Sequence, residues 1–169
     1  MKNLRNIKKT YFEIAQLLAQ NERLQRLLVL ESDDPFKESF TLLTINELFE
    51  KKYISLTTPF LEEGIETNWR NMFLTIRFDD INFEGMNDNF EVRGAIIFGA
   101  HDNYVMLKDN KCRLLEIIDE VLKTLDDQKL SAAGKISVSG CTAVSFSPYV
   151  TGYRMSFYFS DLSSRKAEI

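Results

Sequence analysis

The segment Asn71–Asp79 constrains the fold more than any other. Met72, Leu74, Ile76 and Phe78 alternate with Phe73, Thr75, Arg77 and Asp79, a period of two that a β-strand satisfies and a helix does not. Both sets carry aromatic or apolar residues, so this strand needs cover on both faces, either from the chain's own helices or from another subunit. A second strand is expected over Phe90–Ala100, and YISLT at Tyr53–Thr57, stopped by Pro59, reads as a first, shorter one.

Helices supply the cover. From Lys8 to Leu30, Tyr11, Ile14, Ala15 and Leu18, then Leu24, Leu27 and Leu28, recur at spacings of three and four. They predict one long helix, or two in series broken near Asn21. Leu114, Ile117, Ile118, Val121, Leu122 and Leu125 predict an amphipathic helix over Lys111–Asp126 that lies on the sheet. Thr44 followed by Glu47 is a capping-box pattern for a short helix at INELFEK. Three closing strands are expected at Lys135–Ser139, Thr142–Ser147 and Tyr153–Ser160, separated at Ser139-Gly140 and between Pro148 and Gly152.

Helices and strands are thus segregated and not alternated. The expected fold is α+β, a mostly antiparallel sheet covered by an N-terminal helix and a central amphipathic helix. A chain of 169 residues fits a single domain spanning 1–169, with a helical segment at 1–30 and the sheet at 53–160 enclosing the helix at 111–126.

Charge narrows the function. With 21 basic and 25 acidic residues the formal charge is −4, and no Lys/Arg block offers the footprint of general nucleic-acid binding. The basic start MKNLRNIKKT leads into no apolar segment, and no apolar run is long enough to span a membrane. Cys112 and Cys141 fit no zinc spacing, which suits a reducing compartment.

No catalytic constellation stands out. His101, the single histidine, has neither a nucleophile elbow nor a protease-type cysteine context near it in sequence. Phosphate-cradling glycine loops are missing, and no cofactor is expected. Asp80, Asn82, Glu84, Gly85 and Glu91 do follow the order of an EF-hand-like calcium loop. However, they lie between two strands, Asn87 takes a position normally apolar, and an acidic solvated loop accounts for the same residues, so no metal is expected. Asp79–Asn89 reads as a long polar connection whose Asp79, Asp80, Glu84 and Asp88 present negative charge to a contact surface; Glu31–Phe40 is a second exposed loop.

Four segments carry a resemblance: KKTYFEIAQLLAQNERLQRLL, RNMFLTIRFDD with its acidic loop, FEVRGAIIFGAHDN, and CRLLEIIDEVLKTL followed by GYRMSFYFSD. Over nearly the whole chain, this pattern resembles the small tail-terminator and neck (head-tail joining) proteins of tailed bacteriophages. The resemblance implies a structural virion protein and not an enzyme, assembled in the host cytoplasm. It implies a homo-oligomeric ring, commonly a hexamer, between head-connector and tail-tube proteins, with genome DNA passing through without specific binding. Asp79, Asp80, Glu84 and Asp88 then become candidates for an inter-subunit or lumen surface. The alternative is a monomeric or dimeric adaptor or inhibitor-type binding module using the same loops.

Overall fold

The computed structural model describes residues 2–56, 70–84 and 89–160. Helices α1 (Lys2–Gln20), α2 (Glu22–Val29), α3 (Ile45–Glu50) and α4 (Arg113–Leu125) pack on a sheet of β1 (Ile54–Ser55), β2 (Met72–Glu84), β3 (Asn89–His101), β4 (Ser137–Ser147) and β5 (Val150–Ser160). The strand order is β1-β2-β3-β5-β4. Only the β1–β2 pair is parallel; β2–β3, β3–β5 and β4–β5 are antiparallel. The fold is therefore the expected α+β.

The N-terminal helical segment takes its two-helix form. Asn21 ends α1 and caps α2, accepting a hydrogen bond from the Leu24 N–H at 2.9 Å. Its amide also donates to Thr124 Oγ1 at 2.8 Å, locking the joint against α4. Beside it Glu120 is nearly buried, which pushes its carboxyl up, but bonds from Arg23 and Asn21 and the charge of Lys123 outweigh that and hold it below its ordinary value.

Between helices and sheet lies one apolar cluster. Ile14, Leu18, Leu24, Leu27 and Leu28 meet Met72, Leu74, Ile76, Val92, Ile96, Phe98, Met155, Phe157 and Phe159, with Ile117, Val121 and Leu125 from α4. Gln25 is buried among them with its amide satisfied, donating to Ala19 O and Leu43 O and accepting from Leu43 N.

The strand boundaries differ from those read in the sequence. Among the described residues β1 is Ile54 and Ser55, paired with Leu74 and Thr75; Thr57 and Pro59 lie outside the described residues. The polar stretch after Phe78 is not a loop: β2 continues to Glu84, paired with Asn89–Arg93, after a β-bulge between Phe78 and Asp80. The bulge absorbs one residue and returns Ile81 to the core side opposite Val92. Likewise, Ser139-Gly140 is a bulge within one strand and not a turn, so three expected closing strands are two. Gly152 also belongs to a strand. On the sheet face away from the helices, the Phe146 ring sits over Gly152, and the Phe73 and Phe146 rings meet edge-on at 5.3 Å. A Cβ on Gly99 would stand 2.8 Å from the Phe73 ring, so this aromatic pair requires glycine beneath it.

Candidate functional site

The second sheet face splits in two. Near the Phe73–Phe146 pair it is apolar and closed: Phe73, Thr75, Ala95, Ile97 and Val150 are buried. The two-sided apolar pattern of β2 is thus satisfied within the chain at this end. Toward the far end of the β2–β3 pair the same face becomes polar and open.

The bulge creates this polar end. It projects Asp79 between two arginines: Arg77 Nε meets Asp79 Oδ1 at 2.8 Å, and Arg154, reaching over from β5, pairs with Asp79 Oδ2. Asp80 stands opposite Arg93 across the strand pair, and Arg93 Nε meets Glu91 Oε1 at 3.0 Å. Ser139, Ser156 and Tyr158 complete a shallow depression of about 600 Å³ around them. Arg77, Arg93 and Arg154 balance Asp79, Asp80 and Glu91, so the surface is charge-paired and not acidic. Pairs this exposed contribute little stability each; their effect is that Arg77, Arg93 and Arg154 each already face a carboxylate.

Of the four acidic residues expected to act together, Asp79 and Asp80 share this patch. Glu84 lies opposite Asn89 at the end of the strand pair. Asp88 and the rest of 85–88 lie outside the described residues. A calcium loop would have to wrap its ligands round one ion, whereas Asp80, Asn82 and Glu84 sit on an extended strand with successive same-face residues about 6.7 Å apart. Glu91 is engaged with Arg93 instead. Among the described residues no group of three or more His, Cys, Asp or Glu side chains is placed to hold a metal.

His101 caps a 3₁₀ turn at Asp102–Tyr104, its Nδ1 accepting from Asn103 N at 3.2 Å, and stacks on Tyr149. In register it faces Val150, whereas Cys141 faces Met155, well along the sheet. These two do not form a dyad. Both cysteines are free thiols, Cys141 exposed on β4 with partial burial of its sulfur raising its pKa.

The Glu31–Phe40 segment is tied down more than its polarity suggests. Pro35 is buried, and the Arg23 guanidinium lies 4.2 Å over the Phe36 ring. The anchor is Arg113, fully buried at the start of α4. It donates to Leu27 O at 2.7 Å, Leu30 O at 2.9 Å, Ser32 O and Tyr104 O. These include carbonyls at the end of α2 that have no helical partner. Burial pushes the Arg113 pKa down to about 10 against the opposing charge of Glu31, a value that still leaves it charged at neutral pH. The pattern of α4 gave no sign of this role, since an arginine before Leu114 reads as solvated.

No known protein-family model and no curated protein sequence matches this chain. Among the described residues no helix is long and apolar enough to cross a membrane.

Proposed function

We propose that the chain is a structural subunit of a tailed-phage virion, forming a ring at the neck or head-proximal end of the tail that joins tube to head connector. The observation that supports this reading best is the charge-paired, open end of the sheet at Arg77, Asp79, Arg93 and Arg154. A wall past which DNA must move benefits from polar groups that hydrate well but offer phosphates no unpaired cation. With its arginines already engaged by carboxylates, this face repels little and grips little. The helices pack on the opposite side of the sheet, and a ring lined by the open sheet face would turn them outward.

An adaptor-type binding module is the second reading, favoured by the exposed edge strand β4. Mass separates them. Native mass spectrometry over a concentration series into the high-micromolar range should give a discrete closed oligomer, a hexamer foremost, with a central hole in negative-stain images. A species that stays monomeric throughout and also leaves purified phage tail tubes unbound excludes the ring.

A further inference from the structure

The two edges of the sheet are built differently. Beyond the short β1, the β2 edge carries Arg77, Asp79 and Asp80, is kinked by a bulge, and has its Ile76 carbonyl occupied by the Tyr11 hydroxyl at 2.8 Å. Charges, bulges and covering groups are the devices that stop an edge from pairing with another chain. The β4 edge lacks most of them. Its eleven residues, SVSGCTAVSFS, include no Lys, Arg, Asp, Glu or Pro. Its two bulges, at Val138/Gly140 and Ser145/Ser147, leave Gly140–Ser145 as an unbroken run between them. Ser139 to Ala143 are exposed, and a Cβ on Gly140 would meet nothing within 4 Å.

The helix above this edge is also apolar on the matching side. One flank of α4 is bound to α1–α2 through Glu116, Glu120 and Thr124. The opposite flank, turned toward β4, carries Leu115, Ile118 and Leu122; Leu115 is 55% exposed and the other two are half-buried. An uncharged strand edge therefore runs beside a leucine-isoleucine stripe that, among the described residues, is only partly covered.

We propose that β4 is the seat of a two-fold contact with a second copy of this chain. The two β4 strands pair antiparallel along Gly140–Ser145, and the Leu115–Ile118–Leu122 flanks of the two α4 helices face one another across the seam. A two-fold axis normal to the sheet keeps both helix layers on the same side, so each stripe meets its own image. Such pairing sets every residue near its own copy or a close neighbour, which would set like charges together on a charged strand and leaves a neutral one self-complementary. The guarded β2 edge disfavours head-to-tail sheet addition. The contact does not rest on the ring reading. An isologous pair closes at two copies, so in a ring-forming subunit it is the stored form that assembly opens.

The test uses the full chain. Cys112→Ser leaves Cys141 as the only thiol, and a short bismaleimide should join two chains through it in good yield. Below the concentration at which rings close, native mass spectrometry should show a dimer, weakened at least about tenfold by Ala143→Lys and separately by Leu115→Glu. Both substitutions are at exposed positions, and far-ultraviolet circular dichroism checks that each variant is folded. A monomer into the high-micromolar range without crosslinking overturns the proposal, and so does a dimer indifferent to both variants. A ring that forms without Cys141 crosslinking and is untouched by Ala143→Lys overturns it too, while leaving the ring reading in place.

Discussion

At the scale of single residues, buried polar groups matter most. Thr10 is fully buried on α1, and its hydroxyl has no hydrogen-bond partner among the described residues. Thr10→Val keeps the shape and removes the unsatisfied group, and should stabilise the protein by about 1 kcal/mol in urea titration. Arg113→Met does the reverse, stranding the carbonyls of Leu27, Leu30, Ser32 and Tyr104. A loss of about 3 kcal/mol or more is expected, and Arg113→Lys should recover little of it because an ammonium cannot span four acceptors in a fork. Neither effect was legible in the sequence. Thr10 and Arg113 sit in helical patterns where a threonine or arginine ordinarily faces water, and only tertiary packing decides otherwise.

At the scale of elements, short signals with a local mechanism were the readable ones. The Thr44–Glu47 box forms as expected, with Glu47 Oε2 accepting from Thr44 N at 2.7 Å. Those bonds from the Thr44 backbone and hydroxyl hold the Glu47 carboxyl below its ordinary 4.5. Its stabilising effect is therefore full above pH 4.5 and is lost as pH falls through the lower folded value. Stability curves of the protein and of Glu47→Gln should lie apart at neutral pH and converge in acid; curves that coincide throughout would show that the Glu47 carboxylate does not stabilise α3. The alternation in Asn71–Asp79 located β2, and the spacing of Leu114 to Leu125 located α4. Strand ends were less legible. Asp79-Asp80 and Ser139-Gly140 carry the composition of turns, but each is a bulge that a neighbouring strand keeps in register. The candidate site suffered most from this. Asp79 and Asp80 were visible as a pair of charges, yet Arg154, some seventy-five residues away in the chain, joins them only through the β3–β5 pairing.

At the scale of the whole molecule, the sheet is covered on one side by helices and on the other only in part. An Arg154→Ala variant tests how the polar end works. It leaves Asp79 with Arg77 alone, shifts that face by one negative charge, and should change stability by less than about 1 kcal/mol because the pair is partly exposed. If this face lines a channel, the variant should still assemble into rings, and DNA-filled particles should form at undiminished yield. Failure to assemble would put Arg154 in a subunit contact instead. The strand order carries a last consequence. β5 enters the sheet between β3 and β4, so β2–β3 and β4–β5 are each local antiparallel pairs, whereas the β3–β5 seam joins residues 49 to 69 positions apart, such as His101 with Val150 and Glu91 with Ser160. Chain-closure entropy makes that seam the slow event in reaching the native state. Gly99 and Gly152, beneath the aromatic pair at one end of the seam, are where a refolding experiment should find the rate most sensitive to substitution, with two preformed hairpins waiting on either side for the zipper to close.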